Sequence, residues 1–414
     1  MEKVMPCRIE GALEAPSSKS MMIRAVAAAL LSNGKSIIIR PSYCDDALAA
    51  LACAKALGAR VKAGKNKIEI IGGNIVSPKR LDCGESGLCM RMFAPIAALC
   101  IRKTVLAAKG TLSSRKVGMM EKPLSQLGVS CVSKGGLPPI TVQGPMNGGT
   151  VELDGSESSQ FLTGLLMALP LCPGDSVLAV ANLKSKPYVE MTIGLLCDFG
   201  VKVRANAALS RFEIPGRQKY SSRKYEVEGD WSGASFLLVA GAIAGSVSVK
   251  GLRADSSQAD RAVLLALKSA GAKVKVSKDA VSVEKSALSA FDFDATDCPD
   301  LFPSLAVLAC NCHGTSRIKG ATRLSGKESN RASALVSELG KMGASLSVKG
   351  DVMEITGTRL SGGEVDSHGD HRIAMACAVA ALASEKGASI SGDECVSKSY
   401  PSFFEDLMRL KVKK

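Results

Sequence analysis

Nearly all the residues of this chain that could carry chemistry lie in six short polar turns: APSSKSMMIRA at 15–25, DCGESGLCMRMF at 82–93, DGSESSQFLTG at 154–164, EGDWSGASF at 228–236, TDCPDLF at 296–302 and DSHGDHRIAM at 366–375. Each stands directly before an apolar run of helical length. A helix N-terminus presents unpaired N–H groups and the positive end of its dipole, so Gly, Ser, Lys and Arg placed there make a ready anion site. Three such ends facing a cleft form an anion trap. Single residues have plainer uses: Ser158, Asp300 and Asp370 each suit a helix cap, the commonest role of Ser and Asp before an apolar run. Capping does not account for Lys19 with Arg24, for Gln160, or for His371-Arg372. It is the combination of six turns in register that points to ligand binding.

Two clusters and one lysine fall outside these turns. Arg323-Leu-Ser-Gly-Lys327-Glu328-Ser-Asn-Arg331 opens a helix, with Lys327 and Arg331 one turn apart and Glu328 beside them, an arrangement that an ordinary charged first turn would also show. Lys184-Ser185-Lys186-Pro187-Tyr188 reads as a polar turn after a strand, and Lys398 precedes the last helix.

The elements that must position these residues recur with a fixed period. Ser36, Thr104, Ser176, Ser246, Ser316 and Ser389 each begin a short apolar strand after a helix-like run, at spacings of 68, 72, 70, 70 and 73. Gly58, Gly128, Gly200, Gly271 and Gly343 each end a helix before a β-hairpin, at spacings of 70, 72, 71 and 72. Two independent markers with one period mean one supersecondary unit used six times. The sixth hairpin is missing at the C-terminus, while Cys7-Arg-Ile-Glu-Gly11 has the form of its closing strand. The N-terminal strand is therefore expected to complete the last repeat and to bring the termini together. Sharing six units as three and three gives two domains, residues 1–14 with 229–414 and residues 15–228, joined by a double crossover hinge.

A chain of 414 residues allows two or three domains, each with a real core. No apolar run reaches the roughly 18 residues that span a bilayer, and MEKVMPCRIEG has no signal-peptide core, which argues against a membrane and for the cytoplasm. Fourteen Cys without CxxC pairs or nearby His read as reduced core thiols rather than zinc ligands. The net charge of +14 raises nucleic acid as a partner, but there is no Lys/Arg block and only 4% of residues are aromatic, so stacking platforms are scarce. Small polyanions suit the charge better, beside a share that is simply solvated surface.

The segments SSKSMMIRA, DGSESSQFLTGLLMALPL, LKSKPYVEMT, GKESNRASALVSELGKMGA, GDHRIAMA and VSKSYPSFFEDL together resemble the 3-phosphoshikimate 1-carboxyvinyltransferase (5-enolpyruvylshikimate-3-phosphate synthase) family, in order from about residue 8 to 410. The resemblance implies a two-domain, inside-out α/β barrel-like fold of six βαβαββ repeats, three per domain. It implies transfer of the enolpyruvyl group of phosphoenolpyruvate to the 5-hydroxyl of shikimate 3-phosphate, with phosphate released, no metal or organic cofactor, a monomer, and domains that close over the substrates.

Carried over residue by residue, the resemblance places shikimate 3-phosphate against Lys19, Ser20, Arg24, Ser158, Ser159, Gln160, Ser185, Tyr188, Asp300 and Lys327. It places phosphoenolpyruvate against Lys19, Gly87, Arg115, Gln160, Arg331, Arg372 and Lys398. Asp300 would take the hydroxyl proton, Glu328 would deliver a proton to the methylene carbon, and Lys19 would stabilise charge at the reacting centre. A carboxylic acid that donates a proton near neutrality needs desolvation, against which its cationic neighbours pull. The chain departs from the family pattern at Glu85 and Leu88 in Gly84-Glu-Ser-Gly87-Leu88, at Lys116 after Arg115, and at Asn330, where a carboxylate that orients Arg331 would be lost. Arg323 is carried only as an additional contact.

Two other functions compete. The sister transferase acting on UDP-N-acetylglucosamine shares the fold, but has Lys-Asn where this chain has Lys19-Ser20, and a loop Cys without a match here. A non-catalytic protein that binds anions or nucleic acid on the same scaffold has no use for Asp300, Glu328 and Lys19 together.

Overall fold

A helix that is apolar on every side has no face to turn to water and must lie inside. In the computed structural model, which describes residues 1–412, the six helices that follow the polar turns do so. The chain divides into two units, one of Met1–Ser18 with the chain from Glu228 on, the other of Lys19–Val227.

In the second unit the buried helices are Lys19–Leu31, Gly87–Ala97 and Ser159–Ala168. In the first they are Trp231–Ala244, Phe302–Cys310 and His371–Leu382, buried along their whole length. Sheets lie around them, which makes this a mixed α/β fold with its helices innermost.

The sheets repeat one plan, in which a leading strand runs parallel to a central strand and a hairpin pairs antiparallel with it, except that in the last sheet the single strand Glu2–Val4 stands in the hairpin's place. In the second unit the central strands are Ser32–Ile39, Thr104–Ala107 and Ser176–Ala181, led by Lys224–Glu226, Arg80–Asp82 and Gly149–Asp154. In the first unit they are Gly245–Lys250, Thr315–Lys319 and Ala388–Ser391, led by Ile9–Glu14, Asp292–Asp294 and Gly363–Asp366.

Both sequence markers have a physical origin here. The recurrent Ser or Thr lies on the central strand, and in four repeats its buried hydroxyl bonds backbone where the leading strand begins. Ser36, Ser176 and Ser316 accept from the N–H groups of Arg223, Gly149 and Phe291, and Thr104 donates to Pro78 O at 2.7 Å. The recurrent glycines follow helix caps at φ of 107°, 78°, 81°, 84° and 91°, the left-handed conformation that ends a helix and favours glycine.

The N-terminal assignment needs correction. Glu2–Val4, not Cys7–Gly11, completes the last sheet, pairing antiparallel with Ala388–Ser391. Ile9–Glu14 instead leads the fourth sheet, with Ile9 opposite Gly245. A short alternating run fits either edge, and its pairing is set by where a central strand still lacks a leading partner. The chain ends do meet, since Glu10 N–H donates to Leu410 O at 2.7 Å. Residues 15–18 bond within the first unit through Ala15 N–H to Lys250 O and Ser18 N–H to Glu228 O, so the division falls after Ser18 rather than after residue 14. All fourteen Cys are free thiols; burial pushes Cys44 up to about 11 and holds Cys89 well above the ordinary thiol range, and a hydrogen bond with Cys53, together with burial, does the same for Cys83. Among the described residues no helix is long and apolar enough to cross a membrane.

Candidate active site

Each unit gathers a cationic cluster around the starts of its buried helices. In the Lys19–Val227 unit, Lys19 opens the first helix and its Nζ lies 3.0 Å from Asp46. One turn on, Arg24 is 1% exposed. Its guanidinium donates to Thr192 Oγ1 at 2.9 Å, Ser20 O at 2.8 Å, Thr163 Oγ1 at 3.3 Å and Tyr188 O at 3.4 Å. All four acceptors are uncharged, and burial lowers its pKa to about 10. A cation desolvated without a carboxylate is costly, and an anionic ligand offsets that cost.

The second helix starts at Gly87, capped by Ser86, whose Oγ accepts from Cys89 N–H at 3.3 Å. A Cβ at Gly87 would stand 2.7 Å from Arg115 Nη1 and 2.9 Å from Arg91 Nη1, so any side chain there would displace the two guanidinium groups that close on this helix start. Arg91 also donates to Gln160 Oε1 at 2.8 Å and to Lys116 O at 2.9 Å, joining the second and third helix starts to the Arg115 segment. Ser158 caps the third helix by accepting from Gln160 N–H at 3.2 Å, with Ser159 buried beside it. Ser185, at φ 56°, opens the helix that carries Tyr188.

In the other unit, Arg331 is the hub. Its Nε lies 2.7 Å from Asp370 Oδ2, its Nη1 2.7 Å from Asp300 Oδ1, and its Nη2 pairs with Glu328. These three carboxylates outweigh burial and hold the guanidinium above its usual range. Asp300 also meets Lys327 Nζ at 3.2 Å and Arg372 Nη2 at 3.3 Å. Burial lowers the Lys327 ammonium, with Asp300 pulling the other way. Lys398 Nζ donates to Gly369 O at 2.8 Å, in the turn that leads to Asp370. Burial also lowers Arg323, which lies within electrostatic reach of Asp297, Asp300 and Asp351.

Of the three cap candidates, Ser158 and Asp370 do cap, while Asp300 lies in a 3-10 turn at Pro299–Leu301 and is engaged by cations. Sequence reasoning missed Asp46, whose place in an acidic first turn already has a dipole explanation, and Arg91, whose one signal is its i+4 spacing from Gly87. It treated Asp370 only as a cap. The departures are absorbed locally: Leu88 packs into the core, Lys116 serves through its carbonyl, and Asn330 caps its helix by accepting from Ser333 N–H at 3.3 Å. Both clusters can bind small polyanions, and the second offers two carboxylates fixed on adjacent nitrogens of one guanidinium.

Comparison with known proteins agrees with this chemistry. A family model described as EPSP synthase (3-phosphoshikimate 1-carboxyvinyltransferase) matches residues 4–407. The chain is 40% identical to the 3-phosphoshikimate 1-carboxyvinyltransferase of Methanocorpusculum labreanum, over 97% of this chain and 96% of that protein. It is likewise 40% identical to the protein of the same name from Aeropyrum pernix, over 98% and 95%. Among solved structures, an EPSP synthase from Acinetobacter baumannii superposes with a TM-score of 0.83 at 24% identity, covering 99% of this chain and 98% of that one. The enolpyruvyl transferase NikO from Streptomyces tendae does so with 0.79 at 17% identity, over 99% and 96%, and both of these likenesses bear on the fold alone.

Proposed function

The chain belongs to the EPSP synthase family, and on that premise we propose which residues serve each substrate. The enzyme is a 3-phosphoshikimate 1-carboxyvinyltransferase of the shikimate pathway. It breaks the bond between the enol carbon of phosphoenolpyruvate and its phosphate oxygen, forms a bond from that carbon to the 5-hydroxyl oxygen of 3-phosphoshikimate, and releases phosphate. The hydroxyl proton must leave, and the methylene carbon must gain and lose one.

Ser20, Arg24, Ser158, Ser159, Gln160, Ser185 and Tyr188 hold 3-phosphoshikimate, with Lys19, Asp300 and Lys327. Lys19, Gly87, Arg115, Gln160, Arg331, Arg372 and Lys398 hold phosphoenolpyruvate. Asp300 takes the hydroxyl proton and Glu328 serves the methylene carbon. Arg331, bonded to both, supports this division by fixing their separation. Two polyanions repel each other, and arginine forks with lysine point charges supply the compensation. Fourteen free thiols suit a reducing cytoplasm, where we propose that the enzyme works as a monomer.

The observation that carries the assignment of 3-phosphoshikimate is Arg24, a buried cation held by neutral oxygens. Calorimetric titration of wild type and Arg24→Gln with 3-phosphoshikimate tests it. Loss of a charged partner should weaken binding about tenfold or more. Equal affinity in the two proteins would overturn the assignment.

A further inference from the structure

The turn that delivers Arg115 is strapped down at both ends by residues of one helix start. At its front, Glu85 Oε2 accepts from the N–H and the Oγ–H of Thr111, each at 2.9 Å. Gly110 makes room for this carboxylate: it sits at φ 47°, and a Cβ there would lie 2.3 to 2.4 Å from the Glu85 carboxyl atoms. The two loops are laced further by Cys83 N–H to Ala107 O at 3.0 Å and Lys109 N–H to Gly84 O at 2.8 Å. At the back, Arg91 Nη2 holds Lys116 O at 2.9 Å. Between the straps the 3-10 turn Gly110–Ser114 ends at Arg115, whose N–H donates to Leu112 O at 3.0 Å and whose guanidinium reaches the Gly87 helix start.

A carboxylate beside an anion site is unfavourable unless its charge is engaged elsewhere, and here two donors from one threonine engage it. We infer that Glu85 is a positioning residue for phosphoenolpyruvate capture, setting the reach of Arg115 by strapping the Gly110–Ser114 turn to the start of helix Gly87–Ala97. This rests on the reading that Arg115 holds phosphoenolpyruvate.

The test compares wild type, Glu85→Ala and Glu85→Gln in two measurements. Steady-state kinetics should show Glu85→Ala raising KM for phosphoenolpyruvate about tenfold, with kcat and KM for 3-phosphoshikimate held within about twofold. Glu85→Gln, which keeps an acceptor oxygen, should recover most of that loss. Unchanged KM for phosphoenolpyruvate in Glu85→Ala, or equal losses in both variants for both substrates, would overturn the inference. Amide hydrogen exchange of the unliganded proteins should show faster exchange at 110–116 in Glu85→Ala alone, and unchanged exchange there would also overturn it. A wild type that releases no phosphate would count against the functional reading instead, while the exchange result would still decide the strap.

Discussion

Asp370 Oδ2 and Arg331 Nε lie 2.7 Å apart, and neither side chain is more than 1% exposed. Asp370 also accepts from Ser329 Oγ at 3.1 Å and caps its own helix through Arg372 N–H at 3.0 Å. One carboxylate thus sets the orientation of Arg331 and the start of the helix that bears Arg372. The carboxylate missing at position 330 is not needed for this, because Asn330 faces Ser333 N–H as a cap.

Replacing Asp370 by Asn should therefore cost stability, by about 1 to 3 kcal/mol because Arg331 keeps Asp300 and Glu328 as partners, and raise KM for phosphoenolpyruvate. Asn330→Asp should change stability by no more than about 0.5 kcal/mol. Thermal melts with steady-state kinetics check both, and a larger effect of Asn330→Asp would mean that the wrong partner of Arg331 has been named.

Asp300→Asn and Glu328→Gln should lower kcat by about 10² to 10⁴, the range of a general acid or base, while calorimetric affinity for 3-phosphoshikimate falls much less. Turnover at the wild-type level in either variant would remove that residue from the proton transfers.

Ser158→Ala with Ser159→Ala should raise KM for 3-phosphoshikimate and leave a folded protein. Because Ser158 also caps its helix, a modest loss of about 1 kcal/mol accompanies it. An earlier melt with unaltered affinity would show that capping is the whole role.

Glu338 offers a pH test. Its carboxylate is fully buried; burial alone would raise its pKa, but Lys341, Asp366 N–H, His368 and Ser337 outweigh burial and bring it from 4.5 to about 2. A depressed folded-state value stabilises the fold above the unfolded value and loses that contribution as pH falls through the folded one. Glu338→Gln should be less stable than wild type by about 3 kcal/mol near neutrality. The gap should narrow as pH falls from 4.5 towards about 2, and denaturant unfolding that shows a constant gap would contradict the assignment.

Much of this was legible in the sequence because the repeat is enforced by backbone needs. Gly58 and its four counterparts must adopt positive φ, and Ser36 or Thr104 must bond backbone at the next strand, so the period is written in residue identity. The helices were legible as buried from apolar runs such as 236–245. Pairing of the first strands was not, since Glu2–Val4 and Ile9–Glu14 are short and their partners lie at distant positions in the chain. In the site, the cations stood out by type, whereas Asp46, Arg91 and the second role of Asp370 are defined by contacts at separations of 27 to 69 residues, beyond any local pattern.

A continuous phosphate-release assay with the purified protein measures directly whether this chain joins 3-phosphoshikimate to phosphoenolpyruvate. Phosphate should appear only when both substrates are present and match the enolpyruvyl product mole for mole. No release with 3-phosphoshikimate, or release when UDP-N-acetylglucosamine takes its place, would contradict the account.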